Sequence, residues 1–417
     1  MRICFIADGR SPIAKNWIEY FVRRSHDVYV ISTYPCAEDS YRGASVREVT
    51  SGLARSTGVQ TAGTSKTQGR AFLQHLTAEV RTGRLAGVTF TIQHWIERSG
   101  VGKRSMAIRD NLLQIKPDIV HAMRLPFEGI MASLADPSAP LLISIWGNDL
   151  TLFARQFPLT SRQTRRALKR TDALHCDCER DLKLAAQFGF DEHKPSIVLP
   201  GGGGIQMDVF RERHADTTLR RRFEIPDGAP LVCNLRGFRA YVRNDTFFRS
   251  AALATKKRPD VLFAAVGMQG HPAAERWISN LGIRQKVRLL PMLSRTEMAM
   301  LLQTCDVIVS PSEHDGTPNT LLESMAAGAF PIAGNIESVR EWIMDGVNGI
   351  LCDPSDAEGF AKAILNAIAD YSLRHSAAIK NRQLIMDRAE YSSTMDKAER
   401  FYQRVIWVSK KSYSSAL

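Results

Sequence analysis

The sequence predicts an α/β fold built on parallel sheets, and three features carry that prediction. Short apolar runs rich in Val and Ile recur along the chain, helical stretches separate them, and several runs lead straight into loops rich in glycine and charge. Runs of this kind suit strands covered on both faces, as in a parallel sheet with helices on either side.

The first unit opens with a strand at Ile3–Ala7, a loop from Asp8 to Ala14, a helix near Lys15–Arg24 and a second strand at Asp27–Ser32. Pro117–Ala122 and Pro140–Trp146 repeat the pattern of buried strand followed by loop. Between residues 51 and 102 the pattern weakens into a polar, Gly- and Thr-rich stretch, a candidate for the acceptor wall. A second α/β unit follows the run Gly201–Gly204, with strands at Leu231–Leu235, Val261–Val266, Val287–Leu289 and Asp306–Ser310. Four consecutive glycines let a backbone approach a ligand closely, which makes Gly202 and Gly203 donor-site candidates; the alternative is a hinge between domains, and the two roles can coexist at a cleft. Near the end, Met395, Ala398, Phe401, Tyr402 and Val405 mark one face of an amphipathic helix over about Ser392–Val408.

Composition narrows the function. The chain has 417 residues, 44% of them hydrophobic, which suits two domains. No stretch approaches roughly 18 uninterrupted apolar residues, and the first apolar run is too short for a signal peptide, so a soluble protein is expected. Seven scattered cysteines point to a reducing, cytoplasmic setting. Cys176 and Cys178 beside His175 lack zinc spacing and are assigned to structure. The net charge is +12, and its densest cluster is Arg162, Arg165, Arg166, Lys169 and Arg170 on one helical face. That face is either solvated or docks on anionic lipid or an acidic acceptor, a peripheral contact on the inner face of a cell membrane. Aromatic residues do not interleave with it, so nucleic acid is not expected as a partner.

The most informative stretch is Ser312–Gly328, which leaves the Asp306–Ser310 strand and enters a helix. Thr317 is predicted as N-cap with Pro318 at the first helical position. The free N–H groups of Asn319, Thr320 and Leu321 then suit a phosphate, with Gly316 and Thr317 in the approach loop. Asp315 and Glu323 frame these amides, and carboxylates accept hydrogen bonds from hydroxyls. Anion-binding amides between two hydroxyl acceptors fit a diphosphate with a sugar at each end, that is, a nucleotide sugar.

The stretch resembles the acidic motif of the family 4 glycosyltransferases of GT-B fold: two carboxylates separated by seven residues, then an Ala-Met-Ala-x-Gly run. The match is inexact, because here the run is Met325-Ala326-Ala327-Gly328 and the first carboxylate is Asp where Glu is usual. The resemblance implies two Rossmann-like domains facing across a cleft. It places an acceptor-side domain at residues 1–200, a nucleotide-sugar domain at 201–385, and a last helix at 386–417 that packs back on the first domain. It also implies that Asp315 holds the transferred sugar and Glu323 the ribose. Glu313 competes with Asp315, but its spacing to Glu323 is wrong. Arg236 and Arg243, in Asn234–Asn244, match the family's strand-end Arg and following Lys, which makes them the diphosphate cations, with Arg239 as competitor. Trp146-Gly147-Asn148-Asp149 looks like the family's His-Gly-x-Asp loop, with Trp146 stacking on a sugar and Asp149 accepting from a hydroxyl. His121 ends the preceding strand and is an acceptor-side candidate, or a core histidine. Asp8, Gly9, Arg10 and Ser11 are expected to face the cleft.

No Asp-x-Asp pair occurs, so no metal and no cofactor is expected. The resemblance implies transfer with retention from a UDP- or GDP-sugar to a saccharide or lipid-linked acceptor, in surface polysaccharide, lipopolysaccharide or glycolipid synthesis. The alternatives are a nucleotide-sugar epimerase and a non-catalytic donor-binding scaffold. Phosphorylase chemistry needs a pyridoxal lysine, and Pro195–Tyr241 contains no lysine.

Overall fold

In the computed structural model, residues 1–50, 100–156, 158–210, 218–239 and 241–414 are described. Strands β1 (Arg2–Ala7), β2 (Asp27–Ser32), β3 (Ser45–Glu48), β4 (Ile119–Ala122), β5 (Leu141–Ile145), β6 (Ala173–Cys176) and β7 (Ser196–Val198) form one parallel sheet in the order β3-β2-β1-β4-β5-β6-β7. A second parallel sheet, ordered β10-β9-β8-β11-β12-β13, contains β8 (Leu231–Asn234), β9 (Leu262–Ala265), β10 (Val287–Leu289), β11 (Val307–Ser310), β12 (Phe330–Gly334) and β13 (Ile350–Cys352). The chain therefore has two α/β Rossmann-like domains, the class that its apolar runs predict. The acceptor-wall candidate at 51–102 lies outside the described residues up to position 99.

Alternation along each strand splits the cores. In β1, Ile3, Phe5 and Ala7 enter one cluster while Cys4 and Ile6 enter the cluster on the opposite face. In β8, Leu231 and Cys233 face one way and Val232 the other. Both faces of each sheet are thus dry, which explains why these strands are apolar throughout rather than every second residue.

Strand order also places the sites. The first sheet reverses direction of growth between β1 and β4, and the second between β8 and β11. Loops leaving the carboxyl ends of strands that flank such a reversal diverge and leave a crevice, where ligands of α/β sheets bind. In the second domain these loops carry Arg236, after β8, and Asp315, after β11.

The chain changes domain at Glu390. The Tyr371–Ala389 helix contributes Ala377, Ile385 and Ala389 to the second domain's cores. The Tyr391–Ser414 helix returns to the first domain and buries Met395, Ala398, Phe401, Tyr402 and Val405 beside Ile3, Phe5 and Trp17. A buried polar chain secures it. Trp17 Nε1 donates to the Tyr402 hydroxyl at 3.0 Å, and that hydroxyl pairs with His121 Nδ1. His121 Nε2 and His175 Nδ1 each lie 2.7 Å from Ser144 Oγ, and His175 Nε2 is 2.9 Å from the Leu199 carbonyl.

This network corrects the acceptor-side reading of His121. Its side chain is fully buried and both ring nitrogens are engaged. Burial holds it well below the usual histidine range, and burial lowers His175 to about 4. Both rings are therefore neutral structural links. Cys176 and Cys178 are buried and unbridged in the same region.

Candidate active site

Two loops of the second domain are zipped together at the crevice. Arg243 N donates to the Pro311 carbonyl at 2.9 Å and Glu313 N to the Tyr241 carbonyl at 3.0 Å, with a bridge between Val242 and Ser312. This registration brings the Arg236 guanidinium onto the Asp315 carboxylate through Nη2 and Oδ2. Arg236 Nε is buried and has no hydrogen-bond partner among the described residues. An unpartnered buried donor is costly unless a ligand oxygen takes it, and a phosphate suits a guanidinium edge. Asp315 is itself largely buried, and its carboxylate accepts from Gly316 N at 3.2 Å.

The helix beyond begins at Asn319 and ends at Ala327, one residue later than the sequence predicts. Pro318, with extended backbone, occupies the N-cap position and makes no side-chain cap. Thr317 is not the cap. Its hydroxyl donates across the cleft to the Asp177 carbonyl and accepts from Trp342 Nε1 at 3.1 Å. The Leu321 amide is not free either, because it donates to the Pro318 carbonyl at 3.0 Å in a tightened first turn. Asn319 and Thr320 keep their amides without a partner among the described residues, so the anion site is narrower than predicted.

Glu323 sits one turn further on, half-buried, with no hydrogen-bond or ion-pair partner among the described residues. Burial raises its carboxyl to about 7, against the opposing pull of Arg295 and Arg236. A carboxylate with spare acceptor capacity beside two cations and two free amides can take hydroxyls adjacent to a phosphate.

Arg243 is placed differently from Arg236. It forms a fork with Asp245 at 2.9 and 3.0 Å and pairs with Glu313 at 3.0 Å. Those hydrogen bonds raise its pKa further and occupy its donors. Glu313, the weaker rival of Asp315, is thereby spent on Arg243. Arg239 is exposed and donates to the Arg236 carbonyl and the Tyr241 hydroxyl.

On the first domain, Asp149 does not offer its carboxylate to a ligand. Its side chain is fully buried and accepts from Trp146 N at 3.0 Å, Leu125 N at 3.4 Å and Arg124 Nε at 3.3 Å. Burial raises it to about 6, and Arg124 opposes the rise. Asp149 thus shapes the Trp146–Asp149 loop, which corrects its reading as a hydroxyl acceptor. Trp146 is half-buried with its Cδ1–Nε1 edge against Gly201, and Nε1 is buried without a partner among the described residues.

The glycine run serves close packing. A Cβ on Gly202 would lie 2.8 Å from Asn319 Nδ2, and one on Gly204 would lie 2.4 Å from the Ala389 carbonyl oxygen. Gly203 and Gly204 also have positive φ. Gly202 therefore touches the start of the Asn319–Ala327 helix, whereas Gly203 faces Met395 of the last helix.

Within the first loop, Asp8 and Arg10 pair with each other, and Arg10 lies over the Tyr34 ring. Gly9 does not face the cleft, being buried where a Cβ would strike Ser32 Oγ and Cys36 Sγ. Ser11 is the N-cap of the Pro12–Arg23 helix, its hydroxyl accepting from Ala14 N at 3.3 Å.

Sequence reasoning missed the residues that join the domains. Arg180 is buried at the start of the Glu179–Gln187 helix. It donates to the Gly147 carbonyl at 2.8 Å, to the Asp315 carbonyl at 2.7 Å and to Asp181 Oδ1. Glu341 of the second domain accepts from Glu179 N and Arg180 N at 3.0 and 3.2 Å, capping that helix from across the cleft. Ser338 also donates to the Asp315 carbonyl at 2.7 Å. Asp177, Cys178 and Asp181 are near enough to one another to share a metal ion. Burial pushes the carboxyls of Asp177 and Asp181 up, and Asp181 adds to the rise at Asp177. The only sequence signal was the charged run Glu179-Arg180-Asp181 after β6, which looks like an ordinary exposed helix start.

Two parallel-sheet Rossmann-like domains, each with a reversal in strand order, have the fold class of the GT-B glycosyltransferases. Comparisons with known proteins agree. Residues 215–384 match the family model described as glycosyl transferases group 1, and residues 94–178 match one described as glycosyl transferase 4-like. The chain is similar to a lipopolysaccharide core biosynthesis glycosyltransferase, LpsE, of Rhizobium meliloti. Identity is 28% over 178 residues, 42% of this chain and 51% of the relative. It is 25% identical over 223 residues to a D-inositol 3-phosphate glycosyltransferase of Xylanimonas cellulosilytica, 48% of this chain and 49% of that one. The chain thus spans about half the length of the curated relatives it matches. Among solved structures, Anabaena HepE in complex with UDP superposes with a TM-score of 0.73 at 14% identity, over 97% of this chain and all of the other. A sucrose-phosphate synthase of Thermosynechococcus elongatus gives 0.74 at 13% identity, over 98% of this chain and 100% of that one. At such identities the likeness is one of fold.

Proposed function

We propose that this protein is a retaining family 4 glycosyltransferase that moves a hexosyl group from a UDP- or GDP-sugar to a saccharide or lipid-linked acceptor without a metal. The observation that carries this is the Glu323 carboxylate beside Arg236 Nε and the Asn319 and Thr320 amides, all without partners among the described residues. The donor's anomeric C–O bond breaks as the acceptor oxygen bonds to the same face of that carbon. The acceptor proton passes to the leaving phosphate oxygen. Arg236 and the two amides stabilise the charge that grows on the diphosphate, where preorganised donors act most strongly. Burial of His121 and Asp149 supports this route, since neither is placed to act as general base.

Thermal stabilisation by nucleotides tests the reading. UDP or GDP at 100 times its Kd is expected to add about 2.7 kcal/mol of stability, equally with magnesium or with EDTA. NMR of the product then reports the anomeric configuration. No shift with any nucleotide at millimolar concentration, or a shift that needs magnesium, defeats the proposal.

The acceptor side of this reading includes an anionic membrane. The Val101–Ile115, Ile130–Ala135 and Pro158–Arg170 helices pack side by side on the first sheet. They expose Met106, Leu113, Leu134 and Leu159 together with Lys103, Arg109, Arg162, Arg166 and Lys169. Arg165 and Arg170 are engaged instead, by the Gln187 carbonyl and by Asp136. Apolar side chains among cations favour an anionic lipid surface, at about 1 kcal/mol per basic residue. Co-sedimentation with phosphatidylglycerol vesicles is expected to fall at least about tenfold in Arg162→Glu/Arg166→Glu. Equal sedimentation of both proteins, or equal binding to phosphatidylcholine, removes the membrane from the proposal.

A further inference from the structure

We propose that Arg180 is a positioning residue that registers the donor loop of the second domain against the Trp146–Asp149 loop of the first. The inference rests on the transferase reading above and adds to it how the two halves of the site are held together.

The geometry is specific. One guanidinium bridges two backbone carbonyls on opposite sides of the cleft, Gly147 at 2.8 Å and Asp315 at 2.7 Å. Its own orientation is fixed by Asp181, which receives Nε at 3.0 Å and Nη2 at 2.7 Å. Glu341 fixes the helix that carries it by accepting from the Glu179 and Arg180 amides. The planar fork reaches the two carbonyls through separate nitrogens, Nη1 to Asp315 and Nη2 to Gly147, while Nε and Nη2 also hold Asp181, which a single lysine nitrogen cannot reproduce.

The loops so joined touch without room for a side chain. A Cβ on Gly147 would lie 2.1 Å from Gly316 N, and one on Gly316 would lie 2.3 Å from the Asp177 carboxylate. Thr317 adds a third link by donating to the Asp177 carbonyl. Asp315, the residue placed to hold the transferred sugar, is thus anchored by its carbonyl to the first domain and by its carboxylate to Arg236. Releasing the carbonyl lets the sugar-binding loop drift relative to the acceptor side while the diphosphate site, built within the second domain, stays intact.

Arg180→Met retains the apolar stem and removes the donors. Its kcat is expected to fall about 10- to 100-fold, with donor KM within about threefold of the wild type and stabilisation by nucleotide retained. Small-angle scattering is expected to show a more open molecule. Gly147→Ala, whose Cβ meets the Gly316 backbone and forces the same loops apart, is expected to lower kcat similarly and to add little in combination with Arg180→Met. An unchanged kcat and scattering profile overturns the inference, as does loss of nucleotide binding in parallel with kcat, which marks a merely structural role. Should Arg180→Met fail to fold, Glu341→Gln, which weakens the cap across the cleft, is judged by the same split. Scattering requires no substrate, so it tests the bridge even if no donor is found and the transferase reading fails.

Discussion

Arg236→Gln lowers kcat/KM for sugar transfer by about 100-fold, the expected consequence of losing roughly two charge-assisted hydrogen bonds to the diphosphate at 1.5 kcal/mol each. A second effect accompanies it. Arg236 and Asp315 form a largely buried pair, and removing one partner leaves the other's charge uncompensated, at a cost of about 3 kcal/mol. The two effects separate in Arg236→Gln/Asp315→Asn, which regains most of the stability while turnover stays low. Denaturant midpoints and initial rates on the wild type, Arg236→Gln and the double variant make the comparison. If the double variant regains turnover along with stability, Arg236 only neutralises Asp315 and another cation holds the diphosphate.

Glu323→Gln is expected to abolish most nucleotide binding while making the free protein more stable. The folded carboxyl titrates at about 7, above the ordinary value of 4.5, because burial disfavours its charge. A carboxyl raised on folding binds its proton more tightly in the folded state. Its stabilising contribution is complete below pH 4.5 and is lost as pH rises to about 7. Glutamine carries no such charge, so the advantage of Glu323→Gln grows from pH 4.5 to 7 and levels off above. The gain reaches about 3 kcal/mol at most. Donor hydroxyls instead favour the ionised carboxylate. Binding to the wild type therefore takes up no proton at pH 8, releases one near pH 6, and weakens about tenfold over that interval. Calorimetry at pH 6, 7 and 8 measures this. Parallel pH profiles in the wild type and Glu323→Gln remove the ribose role from Glu323.

A residue adapted for a ligand at the expense of the free protein is common at functional sites, and Arg236 Nε shows the same compromise. Arg243 does not, since Asp245 and Glu313 already satisfy it. It therefore acts in the free protein as a strut between the two zipped loops.

Much of the architecture was legible in the chain because it depends on local pattern. Apolar runs such as Ile3–Ala7 and Val307–Ser310 can only be strands covered on both faces, and Met395, Phe401 and Tyr402 mark a helix face that has to be buried. That Asp315, Glu323 and the Asn319 and Thr320 amides lie close together was legible because one strand–loop–helix segment carries them all. Side-chain direction was not legible. His121 lies near the carboxyl end of β4 and Asp149 follows β5, yet Tyr402, from 281 residues away, claims one, and the Leu125 and Trp146 amides claim the other. Arg180 showed in the sequence only as part of a charged helix start, because its partners across the cleft are backbone carbonyls, which every residue has. Local periodicity fixes what each segment becomes. Only the packing of one domain against the other decides which polar groups are consumed by the fold and which remain for a ligand.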